Sequence, residues 1–205
     1  MVKTILMFVA AYLLGSIPSG VWIGKKMYGK DIREFGSGNS GTTNTFRVLG
    51  FKAGVMVLLA DVLKGTVAGM LPYLLHSDLN PMVVGLGAII GHTFPIFAQF
   101  KGGKAVATSA GVLLAYNSPF FIFSVSLFLI ILYFSRMVSF SSMLALLIIT
   151  PSSLMTHDWI LTTIAGILTI FIIIRHKENI KRIRLGTESK VPFGYGYKKS
   201  KKDSQ

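Results

Sequence analysis

Six long apolar runs and one short one, parted by brief polar breaks, constrain this chain more than any other feature. A membrane-crossing helix needs ~20 mostly apolar residues. Runs of about that length occupy Thr4–Gly24, Ala53–Leu75, Pro81–Phe97, Ser118–Phe134, Val138–Met155 and Trp159–Ile174. A further stretch, Ala105–Tyr116, covers only ~18 Å at 1.5 Å per residue, so it is either a short helix packed inside a bundle or a re-entrant element. Counting it predicts an all-α integral membrane protein with seven transmembrane helices. The opening run has the apolarity of a signal peptide, but more spans follow and no convincing cleavage site ends it, so it reads as an uncleaved first helix.

Charge sets the orientation. Basic and nearly uncharged loops alternate, and every Lys and Arg except Lys3 and Lys64 falls on the same side. The positive-inside rule then places the N-terminus outside and the C-terminus in the cytoplasm; five crossings would give the same parity. Only 14% of residues are charged, against roughly 25% in soluble domains. The net charge of +13 therefore points to a membrane surface and not to nucleic acid. The chain has no cysteine, which excludes a disulfide frame, a thiolate metal site and an acyl-cysteine intermediate. No repeat or linker divides residues 1–205, so a single domain is expected, ending in a basic tail (190–205) lying against anionic lipid.

Polar chemistry gathers on the basic side, in four segments. The first, GSGNSGTTNTFR at Gly36–Arg47, contains the spacing of a dinucleotide fingerprint at Gly36, Gly38 and Gly41. That spacing has meaning only between a strand and a helix, and here it lies between membrane spans. Its physics remains: glycines let backbone N–H groups converge on an anion, Ser37, Asn39, Thr43 and Asn44 add side-chain donors, and Arg47 offers a planar fork for phosphate. The bland alternative is an ordinary loop with a helix cap.

The second segment is GHTFPIFAQFKGGKAVATS at Gly91–Ser109, where Gly102, Gly103 and Lys104 lead into the short apolar run. A helix start there presents N–H groups and a dipole to an anion. It is not a Walker A loop, because the earlier glycine is missing and Ala105 follows the lysine. His92 is either a general base or a structural cap; the residue five further on is Phe97, so it has no His-x-x-x-x-Asp dyad. The third segment carries Arg136, Ser139 and Ser142, and the fourth, Arg175–Arg182, sets His176, Asn179 and Ile180 on one helical face. Asp61 and Lys64 lie mid-span at i, i+3, where charges are costly unless paired. They read as a structural pair, the alternative being that they shape the polar site from below. The acids on the basic side (Asp31, Glu34, Glu178, Glu188, Asp203) are scattered, which disfavours a metal-dependent phosphotransferase; no metal site or cofactor is expected. No GxSxG elbow is present for a serine hydrolase.

Taken together, LLGSIPSG (Leu13–Gly20), the glycine segment, GHTFPIFAQFKGGK, the Arg136/Ser139/Ser142 pattern and RHKENIKR (Arg175–Arg182) resemble the bacterial membrane acyl-phosphate:glycerol-3-phosphate acyltransferases (the PlsY family) over most of the chain. Ser40 fits a position where that family has Pro or Ser; Ala105 departs from the glycine that many members carry after the lysine. The resemblance implies a multi-pass enzyme of the bacterial cell membrane with its active site at the cytoplasmic face. It would move a fatty acyl group from acyl phosphate to the sn-1 hydroxyl of glycerol 3-phosphate, giving 1-acyl-glycerol 3-phosphate and phosphate, the first acylation of phospholipid synthesis. The donor is neither acyl-CoA nor acyl carrier protein, so a soluble phosphate acyltransferase that makes acyl phosphate is an implied partner.

The residues fit such chemistry. Two phosphate-bearing substrates account for two anion-binding segments, and a mixed anhydride has a good leaving group, so positioning and charge stabilisation suffice. Ser37, Asn39, Lys104, Ser142 and His176 are the expected catalytic residues. Gly36, Gly38, Gly41, Thr43, Asn44, Arg47, His92, Gly102, Gly103 and Asn179 are the expected substrate-binding ones. The loop 36–44 would hold the acyl-phosphate headgroup, and Lys104, Arg47, Ser142, His176 and Asn179 the glycerol 3-phosphate; the base is a substrate phosphate or a histidine. The competing class is a transporter or anion-binding permease, against which the polar residues gather at one face and only Asp61 and Lys64 sit deep.

Overall fold

The computed structural model describes residues 1–198; the last part of the expected lipid-facing tail, 199–205, lies outside the described residues. The helices are α1 (Val2–Gly15), α2 (Ser19–Tyr28), α3 (Thr42–Leu49), α4 (Phe51–Leu74), α5 (Pro81–Thr93), α6 (Val106–Tyr116), α7 (Ser118–Ser135), α8 (Val138–Ser152), α9 (Trp159–Arg175) and α10 (Lys177–Arg184). Four stretches among the described residues are long and apolar enough to cross a membrane, or six if each of two bent helix pairs is one span. The helix α6, at 11 residues, is apolar but shorter than a span.

One sequence expectation changes. The run Thr4–Gly24 is not one rod but α1 and α2, bent by 40°. Pro18 is the cause: it lacks an N–H and drives the preceding residue out of helical geometry. A second bend of 59° separates α9 from α10, so Lys177–Arg184 forms its own short basic helix.

The chain forms two compact units, Met1–Phe121 and the remainder from Ile122. In the first, Met7 and Ala11 of α1, Ala68 of α4, and Val84 and Ala88 of α5 make a buried core. Apolar burial between helices gains little in lipid, so close backbone approach must hold them. Gly15 lies on the backbone of Ala88 and Gly91 on that of Tyr12, where a Cβ would collide with main chain. In the second unit, hydroxyls join α8 to the neighbouring segments. Thr150 meets Thr169 at 2.7 Å, and Ser153 donates to Thr162 at 3.0 Å.

Candidate active site

The glycine segment folds on one side chain. Gly36 and Gly38 take φ of 61° and 70°, a left-handed conformation that glycine adopts without steric cost. They turn the chain so that buried Asn44 donates through Nδ2 to the carbonyls of Ile32, Phe35 and Asn39 at 2.8, 3.1 and 2.9 Å. Its Oδ1 accepts from the Ser37 N–H at 2.9 Å and from the Ser37 hydroxyl at 3.2 Å. Asn39 in turn accepts the Gly41 N–H at 3.0 Å. Asn44, expected as a donor to substrate, thus has its amide committed to the loop itself. Ser37, Thr43 and Arg47 stay exposed, and α3 begins after Gly41 with no side-chain cap on its first N–H groups.

The Gly-Gly-Lys segment is held by α5. The Gly103 N–H donates to the His92 carbonyl at 3.1 Å, and the His92 ring fills the space that a Gly103 side chain would need. Gly102 rests on the same carbonyl and on Pro95. Ala105 sits at φ 60°, ψ 8°, a left-handed conformation whose strain it bears with only a methyl group. Half-buried Lys104 immediately precedes it, and α6 starts at Val106, again without a side-chain cap.

The two segments meet. A Cβ at Gly41 would stand 3.9 Å from the Cα of Gly103. The polar stretch before the glycines is pinned to the same region by Arg33, whose Nη1 donates to the Ala98 carbonyl at 3.3 Å. Arg33 also pairs with Asp31 at 2.7 Å. Hydrogen bonds from Arg33 hold the Asp31 carboxyl well below the usual carboxylate range, against a smaller opposing push from burial.

Beneath them, Asp61 and Lys64 form the expected ion pair at 2.8 Å, almost completely buried. They do not stand alone. His92 Nδ1 lies 3.6 Å from the same Asp61 oxygen, and the Thr42 hydroxyl donates to the other at 3.3 Å. Lys64 donates to the Ile17 carbonyl at 3.0 Å, which also accepts the Ser19 N–H at the Pro18 break. A small cavity lined by Pro18, Ser19, Ser40, Asp61, Lys64 and His92 opens among them.

In the second unit the organiser is Glu188. Its Oε1 accepts from Ser139 and from Asn179, both at 2.7 Å, and its Oε2 from Arg182 at 2.7 Å. Burial pushes this carboxyl up, but the three hydrogen bonds together prevail and hold it below its ordinary value. Ser142, one turn along α8 from Ser139, is buried and donates to the Val138 carbonyl at 2.8 Å. His176, also buried, places Nδ1 2.8 Å from the Ile172 carbonyl. A carbonyl only accepts, so Nδ1 carries a proton. Arg136 donates to the carbonyls of Val191 and Phe193 and stacks on Tyr197, which ties the C-terminal segment down.

A family profile described as glycerol-3-phosphate acyltransferase matches residues 5–186. The chain belongs to the glycerol-3-phosphate acyltransferase family. A glycerol-3-phosphate acyltransferase of Enterococcus faecalis is 58% identical over 98% of this chain and 97% of its own. The Bacillus subtilis protein of that description is 54% identical over 92% and 97%. The crystal structure of PlsY (YgiH), an integral membrane glycerol 3-phosphate acyltransferase, in its glycerol 3-phosphate form, superposes with a TM-score of 0.85. The identity is 35%, covering 92% of this chain and 95% of that one. This acyltransferase is a multi-pass membrane protein.

Two of its organising contacts were not legible in its sequence. Thr42 stands out by no motif of its own, and Glu188 reads as a scattered acid. The only signal for either was indirect: a carboxylate in mid-span at Asp61, and a Glu following a basic helix.

Proposed function

We propose that this acyltransferase moves a fatty acyl group from acyl phosphate to the sn-1 hydroxyl of glycerol 3-phosphate, giving 1-acyl-glycerol 3-phosphate and inorganic phosphate. The observation that carries the reading is the meeting of two glycine-bearing anion segments at Gly41 and Gly103. Each of them leads into a helix whose N-terminus lacks a side-chain cap. Helix N-termini favour phosphate, and two of them beside Lys104 suit a reaction in which both substrates carry one. The related PlsY structure in its glycerol 3-phosphate form, with a second one in a lysophosphatidic acid form at TM-score 0.82, supports the acceptor and the product.

In this reading the loop 36–44 receives the acyl-phosphate headgroup through backbone N–H groups, Ser37 and Thr43. Lys104 and Arg47 receive the phosphate of glycerol 3-phosphate. The sn-1 oxygen forms a bond to the acyl carbon, the acyl C–O bond to phosphate breaks, and the hydroxyl proton leaves to a phosphate oxygen or to the Nε2 of a histidine. Since phosphate departs readily from a mixed anhydride, no covalent enzyme intermediate is invoked. Family membership through both units (residues 5–186) supports reading the chain as one catalytic domain. The topology we propose has seven spans, α6 included, with the N-terminus outside and the site at the cytoplasmic face. The acyl donor would be supplied by a soluble phosphate acyltransferase.

Purified protein with glycerol 3-phosphate should release phosphate from acyl phosphate and should not use acyl-CoA. Comparable rates with acyl-CoA, or loss of activity in EDTA restored by Mg²⁺, would refute this mechanism. Flux of anions across vesicles without acyl transfer would favour a permease. For the topology, a tag ahead of Met1 should be accessible on intact cells and one after Gln205 protected. The reverse labelling would put the site on the wrong face.

A further inference from the structure

The geometry points to Asp61 as a positioning residue for the reaction: a buried carboxylate that sets the two anion-binding segments relative to one another. It deepens the acyl-transfer reading above and rests on it. Three features from separate parts of the chain converge on this one side chain. Thr42, the first residue of α3, donates to Oδ2 at 3.3 Å and so fixes the end of the glycine loop. His92 lies 3.6 Å from Oδ1; its carbonyl receives the Gly103 N–H and its ring backs the Gly103 Cα, so the orientation of His92 is passed to the Gly-Gly-Lys turn. Lys64, paired to Oδ1 at 2.8 Å, holds the Ile17 carbonyl at the break between α1 and α2.

The electrostatics favour a positioning device over a mere charge pair. A Lys–Asp pair at i, i+3 on one helix neutralises itself and needs no other partner. Here both members reach off α4 to segments 19 and 47 residues away in sequence. In a site this dry, Coulomb forces act at an effective dielectric far below that of water, so the carboxylate's field reaches the His92 ring 3.6 Å away. Reaction between two bound phosphates depends on their separation, and a displacement of ~1 Å can lower the rate about 100-fold. Asp61 touches neither substrate in this scheme. It acts through Thr42 and His92.

The test compares kinetics with stability in purified protein supplied with acyl phosphate and glycerol 3-phosphate. Asp61→Asn keeps the side-chain shape and removes the charge; kcat should fall at least ~10-fold, more than either KM rises, as expected when loops are misplaced relative to each other. Val84→Ala, which opens the α1/α4/α5 core away from the hub, should lower the unfolding temperature with kcat retained. If Asp61→Asn lowers the unfolding temperature as Val84→Ala does but keeps wild-type kcat, the residue is structural and the proposal fails. Should Asp61→Asn not fold, Thr42→Val and His92→Gln probe the hub from its two ends. Their combined loss in kcat should be at least ~3-fold smaller than the product of the single losses, because both act through Asp61. Multiplicative losses would overturn the hub. A wild-type protein inactive with acyl phosphate would instead refute the donor reading and leave the hub to be tested with the donor that is used.

Discussion

Gly103→Val is expected to lower kcat/KM by at least ~100-fold while leaving a folded, membrane-inserted protein. The added Cβ falls on the His92 ring, and the N–H of this residue is already bound to the His92 carbonyl. The turn must therefore move away from α5 and carry Lys104 with it. A shift of ~1 Å in a group that positions substrate costs about two orders of magnitude in rate. With Lys104 holding phosphate as proposed, loss of that charge-assisted contact would add about 1.5–3 kcal/mol. Steady-state kinetics on protein that elutes as wild type in size exclusion checks the prediction; wild-type kinetics would remove the turn from the site.

Glu188→Ala should be the most destabilising single change in the second unit. It strands Ser139, Asn179 and Arg182, whose donors all converge on that carboxylate. A buried donor left unsatisfied costs about 1–3 kcal/mol, and Ser139 and Asn179 are both buried while Arg182 can turn to water, so the thermal midpoint in detergent should fall by several degrees. The pH dependence follows from the direction of the shift. The folded carboxyl titrates below its ordinary value of 4.5, so its contribution is complete above that value and is lost as the pH falls through the lowered folded pKa. An acid limb in wild-type stability that is weaker in Glu188→Ala is the expected signature. An unchanged midpoint would show that the three donors find other partners.

Most of the helical frame was legible because each span announces itself locally: a run of apolar residues long enough for a bilayer needs no information from elsewhere. The expected run Val138–Met155 corresponds to α8 and the 3₁₀ turn after it, and Ser118–Phe134 to α7 within a residue. The break inside Thr4–Gly24 was visible as Ile17-Pro18-Ser19-Gly20, but nothing local shows that the Ile17 carbonyl, which accepts the Ser19 N–H at 3.0 Å, also accepts from Lys64, 47 residues away. The helix start that follows Gly102, Gly103 and Lys104 was likewise readable from small residues next to an apolar run.

Partnerships across the fold were not readable. Asn44 looked like one more polar side chain facing substrate, yet it ties its own loop, because a buried amide takes whichever carbonyls the turn at Gly36 and Gly38 delivers to it. Asp61 and Lys64 were recognisable as a pair from their i, i+3 spacing alone, which is a local property of one helix. Their connection to Thr42 and His92 required α3, α4 and α5 to pack, since those residues lie 19 and 31 positions from Asp61 along the chain. By itself the sequence determined most of the helical frame, which loops carry the basic residues and the family to which the motifs belong, all carried by local pattern. Only the tertiary structure decided which buried charges organise the loops, because a hydrogen bond or ion pair depends on a few ångströms between atoms that the chain brings together only when its helices have packed.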